Sequence, residues 1–301
     1  TSLNQLREPH PTARAPPNGT SLNQLHEPHP TARASTNGAI ARFSLTRAKV
    51  DTSVKFMKLT AEHEQFRKAV RQVVENDINP HVDEWEAAGI FPAKQVFSKL
   101  AEIGALGLEY DPEFGGQGAD HSYTLVLAEE LGRIDCAGVP MAIAVQAGMA
   151  TPSLAKYGSP ELKQKYLVPA LRGEMVAAIG VSEPDAGSDV SGIRTKAVRD
   201  GDEWVINGRK MWITNGTQAD WLCLLVRTSD EGGYSGMRQI FVPTATPGFS
   251  VGRKIEKMGN WSSDTAELVF EDVRVPVSNT IGEVGRGFQQ QHLDGPTGGL
   301  A

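Results

Sequence analysis

Two hydrophobic periods divide the chain. From Thr60 to about Gly173 apolar residues recur at three- and four-residue intervals, and from Met175 onward they come in short runs separated by turn residues. Thr60 is a good N-cap, and Phe66, Ala69, Val70, Val73 and Val74 fall on one side of a helix running toward Asn79-Pro80. A second helix is expected after Pro92, with Val96, Phe97, Leu100, Ile103 and Leu106 apolar and Gly104 and Gly107 breaking it. The loop Pro112-Glu113-Phe114-Gly115-Gly116-Gln117-Gly118 precedes a helix through residues 125–131, and a further helical stretch reaches Tyr157. Ser159-Pro160-Glu161 then starts a short helix that stops at Arg172-Gly173.

After Met175 the signals are those of strands. Asn207-Gly208 predicts a type I′ hairpin within 205–212, and further strands are expected at 222–226, 239–242, 249–254 and 267–270. The pattern predicts an α+β chain: an all-helical N-terminal domain followed by a middle domain built as an antiparallel β-barrel or sandwich. The divisions read as a tail at 1–50, helices at 51–174, strands at 175–280 and the start of another helical region at 281–301.

The tail is a near-perfect tandem repeat of period 19, TSLNQLREPHPTARAPPNG followed by TSLNQLHEPHPTARASTNG. Each copy is proline-rich and lacks an apolar stripe to bury against its neighbour, so disorder is expected rather than a solenoid. Residues 39–50, AIARFSLTRAKV, carry Arg and no acid, which suits a mitochondrial targeting segment as well as an arbitrary low-complexity stretch.

At 301 residues there is room for two ordinary domains. The net charge of −6 and the absence of a long basic block exclude the electrostatic footprint of a nucleic-acid binder. The longest weakly polar run, 139–150, is too short for a bilayer, which needs about 20 apolar residues. The 2 cysteines, Cys136 and Cys223, lie far apart in apolar settings and read as reduced, buried thiols of an intracellular protein. The 7 histidines, including His63 and His81 on helices and His10 and His29 in the tail, show no ligand spacing, and no metal is expected.

The chemistry-bearing stretch is 179–216. Ser182-Glu183-Pro184-Asp185-Ala186-Gly187-Ser188-Asp189 is a polar loop leaving an apolar run, and Met211-Trp212-Ile213-Thr214-Asn215-Gly216 ends a strand. Glycine lets backbone N–H groups approach a ligand, and Trp212 and Thr214, two apart on a strand, share a face. An indole beside a hydroxyl suits a flat, polar-edged ring such as a flavin or another heteroaromatic. An ordinary Ser/Asp/Gly turn and a core tryptophan are the structural alternative. Gly282, Gly285 and Gly287 imitate a phosphate loop but lack the dinucleotide spacing and a surrounding βαβ unit, so they read as structural.

VSEPDAGSDVSG (181–192), INGRKMWITNG (206–216), SSDTAELVFEDVRVP (262–276) and DPEFGGQGAD (111–120) closely resemble the acyl-CoA dehydrogenase family, over roughly residues 58–291. The resemblance implies FAD as cofactor, with Ser182 and Thr214 as hydroxyl donors to the flavin ring. It implies that Ile179, Val181, Gly187, Ser188 and Ile213 line the ring, partly through backbone. Trp212 would pack on the ring where electrons leave for electron transfer flavoprotein, and Ser188 would also touch the substrate. The implied reaction is α,β-dehydrogenation of a fatty acyl-CoA, in fatty acid or branched-chain amino acid breakdown. A mitochondrial matrix address is implied too, and homo-oligomers are the rule for the full-length family. Asp185 stands where the family usually has a small residue.

The family continues beyond Gly287-Phe288 into a long helical domain that carries its catalytic glutamate, whereas this chain reads QQQHLDGPTGGLA. Pro296, Gly298 and Gly299 are poor helix residues, so the helix is expected to fail within two turns. No acid follows Asp294, and no catalytic base is assigned. The expectation is therefore a weak or inactive dehydrogenase homologue, its main alternative a non-catalytic isoform that binds flavin or acyl-CoA or assembles with full-length subunits. A related flavin oxidase is a third reading.

Overall fold

The computed structural model describes residues 59–230, 233–283 and 285–292. The tandem repeat, the 39–50 segment and the stretch from 293 onward, with the helix failure expected there, lie outside the described residues.

The helical half follows the apolar spacing closely. Helix α1 (Ala61–Val73) buries Val70 and Val73, and the Thr60 amide donates to His63 Nδ1 at 3.1 Å, giving the first turn its cap. A π-helical turn (Val74–Ile78) and a 3-10 turn (Asn79–His81) follow, ending in α2 (Val82–Ala88), which Gly89 stops at φ 67°. Next come α3 (Ala93–Glu102), a 3-10 turn at Pro112–Phe114 and α4 (His121–Leu131), whose cap is Asp120 accepting from the Ser122 amide. The predicted stretch to Tyr157 is α5 (Gly138–Ala144), a π turn (Val145–Ala150) and α6 (Thr151–Tyr157). Ser159 caps α7 (Pro160–Leu162), and a π turn (Lys163–Leu167) leads to α8 (Val168–Leu171).

Helices α1 and α4 are joined by a buried ion cluster. Glu130, with its side chain 1% exposed, accepts from Arg71 at 2.8 and 2.9 Å and from Arg67 at 3.0 Å, and it pairs with the Arg133 guanidinium at 3.1 Å. Nearby, His63 Nε2 lies 2.6 Å from Ser122 Oγ, but Ser122 donates to Asp120. The carboxylate thus sits on the serine rather than the histidine, the wrong order for a nucleophilic relay, and the group works as a cap.

The strands are β1 (Ala177–Gly180), β2 (Lys196–Asp200), β3 (Glu203–Thr214), β4 (Trp221–Arg227), β5 (Met237–Pro243), β6 (Phe249–Lys254), β7 (Thr265–Pro276) and β8 (Thr280–Ile281). They form one sheet in the order β6-β7-β3-β2-β4-β5-β8, with β1 added beside β4. Pairing is antiparallel except for β1 with β4 and one β2–β4 contact, at Lys196 and Arg227. The sheet is not closed, so of the two predicted forms the result is closer to a sandwich than to a barrel. Strand β4 shows why the helices and sheet share a core. Trp221 and Cys223 face the helices, whereas Leu222, Leu224 and Val226 face the β core with Trp204, Ile206 and Leu268. Among the described residues no helix is long and apolar enough to cross a membrane.

The predicted hairpin at Asn207-Gly208 is wrong. Strand β3 runs straight through both residues with a register shift, and the turn between β2 and β3 is at Gly201, φ 62°. Asn207 instead exchanges two 2.9 Å hydrogen bonds with Asp272 of β7, and a Cβ on Gly208 would stand 2.6 Å from Thr195 Oγ1. The glycine serves a close approach rather than a turn. Cys223 is buried as expected, whereas Cys136 is only half-buried, 3.4 Å from Ser262 Oγ. Gly282 and Gly285, both at φ 75°, lead into α9 (Gly287–His292).

Candidate functional site

Strand β1 and the end of β3 lie close together, and the polar loop leaves from one while the aromatic–hydroxyl pair ends the other. Between Lys210 and Ile213, β3 carries a second irregularity in its pairing with β7. There Trp212 adopts φ 66°, a conformation that costs a bulky residue of order 1–3 kcal/mol. The kink leaves the Met211 amide to donate to the Ser182 carbonyl at 2.8 Å, which docks the loop onto the strand. It also places Trp212 outward, 61% exposed, between buried Met211 and Ile213.

At the end of β3, Asn215 fixes Thr214. Its Nδ2 donates to the Ala142 carbonyl at 3.1 Å and to the Ala177 carbonyl at 3.2 Å, tying α5, β1 and β3 at one point. Asn215 itself is at φ 64°, a region asparagine tolerates. Buried Gln146, in the π turn, accepts from the Ala177 amide at 2.7 Å and donates to the Ala170 and Met175 carbonyls. The helical half thereby positions β1.

The expected residues separate by environment. Ile179, Val181, Ser182 and Thr214 are half-buried, Gly187 and Ser188 are exposed, and Ile213 is buried in the β core, so only its backbone can face a ligand. Among the described residues neither the Ser182 nor the Thr214 hydroxyl has a hydrogen-bond partner, and a Cβ on Gly187 would meet open space. Two unengaged hydroxyls and an outward indole are groups that a flat, polar-edged ring can use. Asp185 is exposed, 3.6 Å from Arg194.

Glu183 behaves differently. Its carboxylate is buried and accepts from the Arg194 amide at 2.6 Å, the Thr195 amide at 3.0 Å and Lys210 Nζ at 2.8 Å. The Lys210 ammonium and these amides hold its carboxyl below the usual range against the opposing effect of burial. Burial pushes Lys210 down to about 8, with Glu183 acting against the shift. The residue types alone do not reveal this pair, although one signal was present. Trp204, Ile206, Gly208 and Lys210 alternate on one face of β3, which turns the lysine inward.

Beside the π turn lies a largely apolar cavity of about 230 Å³, lined among others by Leu106, Leu108, Leu127, Leu131, Ile143 and Ala147. Tyr110 closes one side, its phenol 2.8 Å from the Ala147 carbonyl and 2.9 Å from Thr151 Oγ1, and burial pushes its pKa up. At the rim Glu109 takes a 2.6 Å hydrogen bond from Thr124 and lies 2.8 Å from His121 Nδ1. The walls of this space come from segments separated in the chain, so no single stretch of sequence announces it.

The profile of "Acyl-CoA dehydrogenase, N-terminal domain" matches residues 60–174, and that of "Acyl-CoA dehydrogenase, middle domain" matches 178–273. The chain belongs to the acyl-CoA dehydrogenase family. It is 37% identical over 245 residues to the short-chain specific acyl-CoA dehydrogenase of Clostridium acetobutylicum, covering 81% of this chain and 64% of that one. It is also 37% identical to the mitochondrial long-chain specific acyl-CoA dehydrogenase of Mus musculus, covering 83% of this chain and 58% of that one. A solved glutaryl-CoA dehydrogenase of Mycobacterium smegmatis in complex with FADH2 superposes with a TM-score of 0.71 at 32% identity, covering 77% of this chain and 58% of that one. The chain therefore spans about three fifths of the length of these relatives. Members of this acyl-CoA dehydrogenase family are FAD-dependent oxidoreductases, and the helices-then-sheet order here is the family's fold.

Proposed function

We propose that this chain forms the flavin-facing part of an enzyme that dehydrogenates a fatty acyl-CoA between its α and β carbons, in fatty acid or branched-chain amino acid breakdown. The observation that carries the reading is that the Ser182 and Thr214 hydroxyls have no partner among the described residues while Trp212 turns outward. The division into helices at 51–174, strands at 175–280 and a further region from 281 is part of the same proposal.

The residues present suit FAD. Ser182 and Thr214 donate to the ring's polar edge, where negative charge grows during the reaction. Ile179, Val181, Gly187, Ser188 and the Ile213 backbone line the ring, and Trp212 covers it at the solvent side, where electron transfer flavoprotein would collect electrons. When bound, FAD supplies the acceptor for the β hydride. Ser188 also meets the acyl-CoA, and the apolar cavity beside the π turn receives its chain. Glu183 does not take the α proton, because three donors already hold its carboxylate. A second reading is a flavin- or acyl-CoA-binding protein without turnover. One of the relatives is bacterial and another mitochondrial. A matrix address is proposed from the acid-free Arg-bearing segment at 39–50.

A visible spectrum of the desalted protein, before and after anaerobic addition of a medium-chain acyl-CoA, tests the proposal. Bound flavin that bleaches supports the dehydrogenase, and bound flavin that does not bleach supports the binding protein. A colourless chain that takes up no added FAD overturns the dehydrogenase reading and the flavin-binding form of the second.

A further inference from the structure

We propose that Lys210 is a positioning residue: with Glu183 it forms an internal clamp that closes both ends of the loop between 183 and 194 onto β3, and so sets where Ser182 stands. Its functional half rests on the flavin reading above.

The clamp is built from consecutive residues on both sides. Lys210 Nζ, on a side chain 0% exposed, donates to the Val181 carbonyl at 2.9 Å and to Glu183 Oε1 at 2.8 Å. The next residue, Met211, donates its amide to the Ser182 carbonyl at 2.8 Å. Strand β3 thus grips Val181, Ser182 and Glu183 in order, one residue before it presents Trp212. Glu183 carries the grip across the loop, because Oε2 accepts from the Arg194 amide and Oε1 from the Thr195 amide. Thr195 is tied back to β3 by its hydroxyl, 3.2 Å from the Arg209 carbonyl. Gly180 completes the fit: a Cβ there would stand 2.7 Å from Leu224 Cδ1 and 3.5 Å from Lys210 Cγ, so β1 crosses close over the lysine stem.

A buried ion pair is poor evidence for stability, since apolar residues of similar volume often do as well. Its use is directional. A carboxylate with four lone-pair directions and an ammonium with three donors can tie two chain segments in one geometry, which Leu and Met cannot. The loop between the tied ends remains open, with Gly187, Ser188 and Asp189 exposed. The clamp therefore fixes the ends of a loop whose tip is free to meet a ligand.

The test is the neutral pair Lys210→Met with Glu183→Gln in the full chain, which removes the clamp without stranding a buried charge. A merely structural pair leaves flavin affinity untouched. Positioning predicts a melting temperature close to that of the unaltered protein but an FAD dissociation constant raised at least tenfold. Amide exchange across 184–193 should quicken by a similar factor while that of α4 stays as it was. Unchanged FAD affinity and unchanged loop exchange would overturn the proposal. Should the double variant not fold, the unaltered chain decides. Arg194 and Thr195 amides protected like those of β4 support the clamp, and amides exchanging as fast as Gly187 and Ser188 sink it. If the unaltered chain binds no FAD, the flavin reading fails by itself, and the same amide protection still judges the clamp.

Discussion

Trp212 combines a strained backbone, an exposed indole and a place next to the one hydroxyl that ends β3. Asparagine tolerates positive φ better than tryptophan, and little packing is lost from a side chain 61% exposed. Trp212→Asn is therefore expected to leave stability unchanged or raised by up to about 1 kcal/mol, while FAD affinity falls roughly tenfold. Chemical denaturation and flavin fluorescence titration measure the two quantities, and loss of stability with unchanged flavin binding would place Trp212 in the core instead. Thr214→Val removes a hydroxyl without a protein partner, so the fold should be indifferent to it. A lost hydrogen bond of about 1 kcal/mol predicts a roughly fivefold weaker flavin complex. At this scale the site types were legible, since Ser182, Trp212 and Thr214 are visible in the chain as written. The commitment of Glu183 was not, because its partners Arg194, Thr195 and Lys210 become neighbours only after folding.

Between elements, the Glu130 cluster and the Asn207-Gly208 crossing make separate claims. The guanidinium groups of Arg71 and Arg67 lower the Glu130 carboxyl from its ordinary 4.5 to about 2, against the opposing effect of burial. A carboxylate lowered in the folded state contributes stability that is complete above 4.5 and is lost as pH falls from 4.5 toward 2. Glu130→Gln should therefore be less stable near neutral pH by roughly 2–3 kcal/mol, and the gap should close with acid. Urea midpoints at several pH values check this, and a constant gap would contradict it. Gly208→Ala is expected to cost about 1–3 kcal/mol, because its Cβ would meet the Thr195 backbone at 2.7 Å. A thermal shift near zero would mean that β2 and β3 separate at this point. The helix starts at Thr60 and Ser159 are legible because caps and apolar stripes are local, whereas α2, beyond Asn79-Pro80, was not expected. Asn-Gly misled because a turn dipeptide and a close-approach glycine look alike until the neighbouring strand is in place.

Across the described residues, the sheet and helices share a core because β4 is buried on both faces, and the candidate site lies where β1 and β3 come together. Gln146 and Asn215 carry the junction, bonding the π turn, α5 and β1 around the end of β3. The cavity beside the same π turn has walls from α4, α5 and the segment 105–110, and no single segment encloses it.

The helix-then-strand order, the apolar faces and the loop and strand that carry the candidate donors were determined by the sequence itself. Each depends on spacing within about two turns or one strand, and residue types record that directly. Tertiary structure alone decided that the sheet stays open, that β3 runs through Asn207 rather than turning, and that Lys210 and Glu183 neutralise each other. Those outcomes depend on what lies across the gap from each residue, such as Thr195 against Gly208 and Val181 against Lys210. One-dimensional spacing carries no record of such partners; close packing and the cost of an unpaired buried charge select them.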